Sequence, residues 1–232
     1  MAKKIVSMIV PIYNEIDWVE RVIEALEDVK LPMGAVKEIV LVDDGSTDGT
    51  REYLQKFSKE GFKVTLMERN SGKGAAIRRG LAEATGDIVM VQDADMEYDT
   101  NDIPKVIEPL LSGEADVVYG SRFKGRCENM ALPNLLANKI LTFTANALFS
   151  ARITDEATAY KAFRSDLIRS LNLKSERFEF CPEVTAKVLK RGIEIREVPI
   201  NYRARTTSEG KKIKWTDGFE AIWTLIKYRF VD

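Results

Sequence analysis

The chain of 232 residues is long enough to bury a sizeable core, and 45% of its residues are hydrophobic, so we expect a globular protein. It contains no histidine, which excludes a Ser-His-Asp triad, a histidine general base and the usual histidine-containing zinc sites. The net charge of −1 provides no overall field that would attract nucleic acid, so we expect no nucleic-acid partner.

The cysteines and the apolar segments bear on the compartment. Cys127 and Cys181 stand far apart, with no metal-ligand spacing, which favours the reducing cytoplasm. The apolar run after Lys3 and Lys4 lasts only about seven residues before Pro11, too short for a signal peptide. No apolar stretch reaches about 18 residues, so we expect a cytoplasmic protein without a spanning helix.

The first half of the chain alternates strand patterns with helix patterns. A helix with apolar residues at three- and four-residue spacing is expected around 16–26, and another is expected over 47–61, ending at Gly61. Nearly continuous apolar runs are typical of strands buried on both faces. They predict strands over 5–10, 38–42, 63–67, 87–91 and 116–120. This alternation predicts an α/β fold built on a doubly wound, mostly parallel sheet.

The second half is less regular. It predicts a helix over 132–149, a strand over 158–164, a helix over 182–192, a strand over 193–205 and a polar loop over 206–214. A final helix over 215–230 carries an apolar stripe of helical spacing, formed by Trp215, Phe219, Ile222, Trp223, Ile226 and Phe230. No internal repeat or linker is visible, so we expect a single domain.

Acidic residues follow the predicted strands where those strands leave the core. Asp43 and Asp44 follow the second strand, and "VQDADMEYD" follows the fourth. Ligands of open α/β sheets bind at the carboxyl ends of the strands, and hard divalent cations prefer oxygen ligands. Asp93 and Asp95, with Glu97, are therefore candidates for a metal site. The alternative is a solvated acidic loop.

The segment "NSGKGAAIRRG" resembles phosphate-binding motifs but matches none. A P-loop requires a glycine at position 67, where this chain has Met67, and Ser or Thr after Lys73, where it has Gly74. A flexible turn that opens a helix carrying Lys73 could still bind an anion, which makes Lys73 a candidate anion contact. The alternative is a helix cap with solvated basic residues.

Taken together, the motifs resemble the family-2 glycosyltransferases with the GT-A fold. The resemblance rests on "VPIYNE", "LVDDGSTDGT", "NSGKGAAIRRG", "VQDADMEYD" and "YGSRF", in this order, and continues through "ITDEATAYKAFR", "FEFCPEVTAKVLKRG" and "EVPINYRART". It covers nearly the whole chain and is strongest for the branch of dolichol-phosphate mannose synthases and polyprenyl-phosphate glucosyltransferases. It implies a Rossmann-like nucleotide half over about 1–120 and a smaller acceptor half over about 121–232.

The resemblance also implies roles for individual residues. Asp93 and Asp95 would hold Mg²⁺ or Mn²⁺ against the donor diphosphate, with Glu97 at the third ligand position, and Asp95 would belong to the catalytic set. Arg122 would face the phosphate of the acceptor. A mobile basic loop over 204–214 would close over the diphosphate, and the alternative is an ordinary surface turn. Further nucleotide-sugar contacts would come from Pro11, Tyr13, Glu15, Asp43, Asp44, Ala94, Arg203, Arg205, Lys211 and Lys212.

The residues expected to bind the acceptor depart from the pattern of the family. Relatives that grip a lipid phosphate carry an Arg and a Ser one turn apart, where this chain has Asn134 and Asn138. A lipid phosphate is already an anion, whereas a hydroxyl acceptor needs a base. Without histidine that base is a carboxylate, and Asp155 is the first candidate, ahead of Glu179 and Glu183. The alternative for Asp155 is a helix cap or a structural hydrogen bond.

The most economical interpretation is a metal-dependent, inverting transferase that moves a hexose from GDP-mannose or UDP-glucose to a polyprenyl phosphate. The alternatives are the same chemistry with a sugar or protein hydroxyl as acceptor, a nucleotidyltransferase, and a non-catalytic nucleotide-sugar-binding protein. A nucleotidyltransferase would carry a Gly-rich basic loop in place of "PIYNE". Aromatic and basic residues of the last helix are typical of an interfacial helix at the cytoplasmic membrane face. Packing on the core is the alternative.

Overall fold

The computed structural model describes residues 3–205 and 215–231, without the side chains of 215–217. One sheet holds seven strands of the described residues. Their bounds are β1 Ile5–Ile12, β2 Val36–Asp43, β3 Phe62–Leu66, β4 Ile88–Val91, β5 Val117–Glu128, β6 Lys161–Arg164 and β7 Arg196–Arg203. Eight α-helices accompany them, namely α1 Val19–Asp28, α2 Thr50–Lys56, α3 Lys73–Glu83, α4 Ile103–Leu111, α5 Leu132–Phe149, α6 Ser165–Ser170, α7 Phe180–Lys190 and α8 Trp215–Phe230.

The order of strands across the sheet is β3-β2-β1-β4-β6-β5-β7. Strands β1 to β4 run parallel to one another, as do β5 and β7. Strand β6 alone among the described strands is antiparallel to both of its neighbours, β4 and β5. The expected α/β fold on one mostly parallel sheet is confirmed.

Apolar side chains cover both faces of the sheet, which explains why the strands read as unbroken apolar runs. On one face, Val10 and Leu41 pack with α1 and α4. On the other, Ile9 and Val42 pack with α3, α5, α7 and α8. Because both faces are covered, the exposed edge at the carboxyl ends of the strands is left for polar chemistry.

Three predicted boundaries are wrong. Helix α2 ends at Lys56 rather than at Gly61, because Phe57 adopts an extended backbone and turns its ring edge-on to Phe62, at 5.2 Å. Strand β5 continues to Glu128, since its second half pairs with β7 beyond an irregularity between Ser121 and Arg126. Strand β6 begins at Lys161, so residues 158–160 precede it as a loop.

Helix α8 packs on α5 and α7 through Ala221, Leu225 and Tyr228, which are all buried. The apolar stripe that the sequence suggested is not this packed face. Its members Phe219 and Trp223 are 67% and 65% exposed. Packing on the core therefore describes one face of the helix, and the other face, with Phe219 and Trp223, is exposed. No helix within the described ranges is both long and apolar enough to cross a membrane.

The packing of α3 on the sheet makes a specific prediction for Gly80. A Cβ at Gly80 would lie 2.4 Å from the Cγ2 atom of buried Ile9, so Gly80→Ala should lower the free energy of unfolding by about 1–3 kcal/mol despite the better helix propensity of alanine. The matched control is Gly218→Ala in α8, where a Cβ meets nothing within 4 Å. That change should stabilise by up to about 1 kcal/mol. Urea denaturation measures both, and equal effects would contradict the packing.

Candidate active site

The carboxyl ends of β1, β2 and β4 meet at one edge of the sheet because these strands are parallel neighbours. A cavity of about 670 Å³ opens beside this edge, within the range of ligand pockets. Pro11, Tyr13 and Ala94 line it. Its walls continue over α5, α7 and the start of α8, so the acidic edge of the sheet and an apolar wall face the same cavity.

The turn after β4 presents Asp93 and Asp95 to this cavity. Met96, the next residue, has φ of 56°, a left-handed conformation that costs energy for a side chain without local polar groups. The amide of Glu97 donates a hydrogen bond to Oδ1 of Asp95 at 3.1 Å. The turn is therefore closed on itself in a way that keeps both aspartates at the cavity wall.

Asp93 forms an ion pair with Lys73, whose Nζ lies 2.6 Å from Oδ1 of Asp93. Burial alone would lower the pKa of Lys73, but the neighbouring charges, with Asp93 foremost, raise it above its ordinary value. Lys73 is the first residue of α3 and also lines the cavity. The structure thus joins the lysine of the "NSGKGAAIRRG" segment to the first aspartate of the acidic turn.

Nearby cations compensate the charge of Asp95 less closely than that of Asp93. Burial, and then the charges of Asp93 and Glu97, raise the pKa of Asp95 to about 7, while Arg205 counteracts them. The guanidinium of Arg205 lies 3.4 Å from Oδ2 of Asp95 and 3.0 Å from Oε2 of Glu15. One arginine from the end of β7 therefore connects the acidic turn to the residue that follows β1.

Glu97 is engaged differently from the two aspartates. Its Oε2 accepts a hydrogen bond from the hydroxyl of Tyr202 at 2.7 Å, and its Oε1 accepts one from the amide of Arg205 at 2.6 Å. Both oxygens thus hold the segment that leaves β7. The structure does not bring Glu97 together with Asp93 and Asp95 as a third ligand.

The acidic side chains at this turn could supply only part of the ligand shell of a hard divalent cation. Within residues 3–205 and 215–231 no group of three or more acidic or cysteine side chains is arranged to hold a metal ion. Mg²⁺ and Mn²⁺ commonly take one or two carboxylates and complete their shell with water and substrate phosphates. Asp93 and Asp95, the latter with a pKa raised by burial and by the neighbouring carboxylates, satisfy that smaller requirement.

The side chains of Asp43 and Asp44 have different partners in the structure, and only Asp44 reaches the cavity. Asp44 lines the cavity, and its carboxylate accepts hydrogen bonds from the amides of Ser71 and Gly72 at 2.7 and 2.8 Å. Asp43 does not line it. It is fully buried in an ion pair with Arg51 at 2.8 Å. Asp44 therefore shapes the turn before α3, and Asp43 fastens β2 to α2.

Gly72 shows why that turn needs a glycine. Its φ is +99°, and a Cβ there would lie 2.4 Å from the carbonyl oxygen of Glu176. The amide of Ala75 donates to the same carbonyl at 2.9 Å. The start of α3 is thus pressed against the segment that precedes α7.

Farther along the cavity wall, Arg122 forms a buried ion pair with Asp155. Nε and Nη2 of Arg122 each donate to Asp155 at 2.7 Å, and the backbone amide of Arg122 donates at 2.9 Å. The amide of Asp155 in turn donates to Glu197 at 3.0 Å. Asp155 is fully buried, and Arg122 occupies both of its carboxylate oxygens.

The remaining predicted residues fall in three groups. Arg203 is exposed and does not line the cavity, although its amide donates to the carbonyl of Glu97. Lys211 and Lys212 lie outside the described residues, as does most of the predicted loop over 204–214. Asn134 and Asn138 of α5 line the cavity.

Sequence reasoning missed Glu156, which is fully buried and lines the same cavity. It stands directly after Asp155, the first acid of "TDEATAY" and the residue that we predicted as the base. Nothing in the spacing distinguishes the two, because they lie in a loop without helix or strand periodicity. Only the direction of each side chain separates them.

Residues 7–171 match the family model described as Glycosyl transferase family 2. The chain is 30% identical over 247 residues to UDP-N-acetylglucosamine--dolichyl-phosphate N-acetylglucosaminyltransferase of Methanococcus voltae, covering 97% of this chain and 96% of that protein. It is 32% identical over 212 residues to dolichol-phosphate mannosyltransferase of Pyrococcus furiosus, covering 89% of this chain but only 58% of that protein.

A solved structure with a similar fold is glucosyl-3-phosphoglycerate synthase from Mycobacterium tuberculosis, in complex with Mn²⁺, uridine diphosphate and phosphoglyceric acid. The TM-score is 0.73 at 22% identity, over 99% of this chain and 80% of that one. At this identity the likeness concerns the fold. With the family model and the relatives, it shows that the chain belongs to glycosyl transferase family 2 and is a glycosyltransferase of the GT-A fold.

Proposed function

We propose that the protein is a metal-dependent, inverting transferase that moves a sugar from a nucleotide sugar to a polyprenyl phosphate. The observation that carries the proposal is the pair of aspartates after β4, which face a cavity large enough for a nucleotide sugar. The names of the relatives in Methanococcus voltae and Pyrococcus furiosus agree with a dolichyl-phosphate acceptor. GDP-mannose and UDP-glucose are the first donors that we propose. The name of the Methanococcus voltae relative adds UDP-N-acetylglucosamine.

Departure of a nucleoside diphosphate builds up negative charge, which the site must absorb. Mg²⁺ or Mn²⁺ held by Asp93 and Asp95 would supply part of the positive charge, as a Lewis acid. Lys73 and Arg205 supply the rest. Each is paired with one of these aspartates here, and we propose that each exchanges that carboxylate for a phosphoryl oxygen when the diphosphate binds. Asp44 keeps the turn before α3 in place for the nucleotide.

Arg122 is the cation best placed to bind the phosphate of the acceptor. It is only 5% exposed but lines the cavity, and the rings of Phe123 and Tyr202 flank its guanidinium at 5.7 and 5.1 Å. Because Asp155 uses both oxygens to hold this guanidinium, we assign Asp155 the role of positioning Arg122 rather than that of a base. A phosphate acceptor needs no base, so the assignment is consistent with a lipid phosphate.

The second candidate is the same transfer to a hydroxyl acceptor, and Asn134 and Asn138 favour it. These amides line the acceptor side of the cavity, where a phosphate would gain more from charged groups. The two candidates share the donor site and differ only in what attacks the sugar.

Membrane contact follows from the exposed apolar residues of α5 and α8. On α5, Leu132, Leu136 and Phe143 are 78%, 62% and 74% exposed, and the helix contains no acidic residue. On α8, the exposed Phe219 and Trp223 extend this surface, since the two helices pack together. Lys139, Lys227 and Arg229 supply positive charge. We propose that this surface rests on an anionic bilayer, as interfacial helices do.

A screen of donor turnover tests the proposed reaction. Wild-type protein should release nucleoside diphosphate from at least one of GDP-mannose, UDP-glucose and UDP-N-acetylglucosamine with Mn²⁺ or Mg²⁺, and faster when a polyprenyl phosphate is added. Stimulation by a soluble sugar instead would favour the hydroxyl acceptor. No donor-dependent release under any condition would contradict both.

Asp95→Asn should reduce this turnover by roughly 10²–10³-fold, because the site loses one of the two carboxylates that would hold the metal ion. It should not unfold the protein. The folded state raises the pKa of Asp95 to about 7, so the charged carboxylate costs stability as pH rises from about 4 to 7. The melting temperature of the variant should therefore equal that of the wild type at pH 4 and match or exceed it at pH 8. Asp99→Asn, in the same acidic stretch but outside the cavity, is the control and should keep turnover.

Asp155→Asn should lower the free energy of unfolding by about 3–5 kcal/mol, because it leaves the buried guanidinium of Arg122 without its counter-charge. The control is Asp166→Asn, whose partner Arg164 is exposed, and it should leave the melting temperature unchanged. Chemical denaturation measures both. An Asp155→Asn variant of normal stability with lost turnover would restore the role of a base.

Flotation with vesicles that contain phosphatidylglycerol tests the membrane surface. Wild-type protein should float with these vesicles, and replacement of both Phe219 and Trp223 by serine should weaken binding at least tenfold, because exposed apolar area is lost. Glu220→Gln, on an exposed position of the same helix, is the control. Wild-type protein that stays with the unbound fraction would contradict membrane contact.

A further inference from the structure

Arg177 differs from the other cationic residues of the cavity. Four such residues of the described chain line its wall, and three of them are held by carboxylates, namely Lys73, Arg122 and Arg205. The fourth is Arg177, which is exposed and whose guanidinium forms no ion pair or hydrogen bond with any residue that the structure describes. Among the described residues, Arg177 is thus the cation of the cavity wall that no carboxylate holds.

The backbone of Arg177 is fixed against the start of α3. Its carbonyl oxygen accepts a hydrogen bond from the amide of Gly74 at 3.2 Å, and its amide donates to Oε1 of Glu179 at 3.1 Å. The carbonyl of the preceding residue, Glu176, accepts from the amide of Ala75. The point from which the side chain starts is therefore set by α3 and does not depend on the charge of the guanidinium.

The side chain of Arg177 follows the turn that precedes α3. A Cβ at Gly72 would lie 2.8 Å from Cγ of Arg177, so the aliphatic part of the arginine passes directly over this glycine. Burial raises the pKa of Asp44, and the amides of Ser71 and Gly72, together with the charge of Arg177, counteract it. The positive charge of Arg177 therefore acts at the wall where Asp44 lines the cavity.

The start of α3 favours an anion beside this arginine. The amino end of an α-helix carries partial positive charge, and α3 begins at Lys73 and is 11 residues long. The ammonium of Lys73 is neutralised by Asp93, whereas Arg177 adds a charge that no ion pair neutralises within the described chain. A phosphate group suits this combination, because an arginine offers it two parallel hydrogen bonds as well as charge.

Stability of the fold does not account for the charge of Arg177. Even an exposed ion pair contributes little to the free energy of folding, and an exposed cation without a partner contributes less. The contacts that hold this segment to α3 use its backbone, so other side chains at position 177 would leave them in place. A merely solvated side chain explains neither its position in the cavity wall nor its packing over Gly72.

The state of each cation decides when it is able to bind phosphate. Lys73 and Arg205 must each release a carboxylate before they bind a phosphoryl oxygen, and a metal ion held by Asp93 and Asp95 would assist that release. Arg177 has no such carboxylate to release among the described residues. It is therefore able to bind a phosphate group whether or not a metal ion is present.

We propose that Arg177 binds the diphosphate of the donor nucleotide, and that it does so independently of the metal ion. The proposal rests on the proposed function, because it requires a nucleoside diphosphate in this cavity. Arg177 acts in addition to Lys73 and Arg205, and its contribution is to the affinity for the nucleotide, with or without an attached sugar.

The experiment measures nucleotide affinity with and without metal. Dissociation constants for UDP and GDP are determined by calorimetry, once with Mn²⁺ and once with EDTA. Arg177→Gln should weaken the diphosphate that the wild type prefers at least tenfold, by the same factor in both conditions. Arg177→Lys should fall between this variant and the wild type, because it keeps the charge and loses the second hydrogen bond. The matched control is Arg79→Gln, which removes an exposed charge of α3 outside the cavity and should change affinity less than twofold.

The possible outcomes separate this proposal from the proposed function. Affinity of Arg177→Gln within twofold of the wild type, an equal loss in Arg79→Gln, or an Arg177→Lys variant as weak as Arg177→Gln would overturn the phosphate contact. A loss confined to Mn²⁺, or wild-type protein that binds with Mn²⁺ but not with EDTA, would overturn its independence of the metal. Wild-type protein that binds neither diphosphate with Mn²⁺ would overturn the proposed function as well.

Melting temperatures separate a ligand contact from a structural one. Arg177→Gln should melt together with the wild type, because the guanidinium is exposed and has no partner in the described chain. Gly72→Ala, in the turn beneath the arginine, should melt lower, since its Cβ would lie 2.4 Å from the carbonyl oxygen of Glu176. A fall for Arg177→Gln as large as that for Gly72→Ala would show that the arginine serves the packing of this turn and would overturn the proposal.

Discussion

Charge balance at the carboxyl edge of the sheet is the constraint on which the site depends. The parallel arrangement of β1, β2 and β4 brings their acidic residues together, and the two cations that compensate them arrive from distant parts of the chain. Lys73 comes with α3, and Arg205 comes from the end of β7. Under the proposed function, each of these cations would exchange its carboxylate for a phosphoryl oxygen, a change that alters neither the burial of the cation nor the sign of its partner.

Farther along the cavity wall, a different balance holds. Arg122 and Asp155 satisfy each other almost completely, with Glu197 behind them, whereas Glu156 beside them is left unsatisfied. Neighbouring acids in one loop thus differ in their surroundings, although neither is exposed. The difference comes from the direction of the side chains, since both residues are fully buried.

The sequence was sufficient for the fold class and for the existence of most elements, because strands buried on both faces and caps at helix ends leave local signals. It also predicted that the acids after β2 and β4 gather at one edge. It did not reveal that Asp43 pairs with Arg51, that Glu97 holds Tyr202, or that Glu156 is fully buried. These outcomes depend on partners many positions away, and no local pattern encodes them. The sequence left the covered face of α8 open for the same reason, since α5 and α7 decide which of its apolar residues are buried.

The antiparallel strand β6 has a consequence for any attempt to divide the molecule. It comes from the later half of the chain, yet it is inserted between β4 and β5 and pairs with both. A fragment that ended after β5 would keep these two strands without the neighbour that joins them. Chimeras that exchange acceptor specificity between relatives must therefore carry β6 and its flanking loop as one block, and a simple fusion at mid-chain would graft an incomplete sheet.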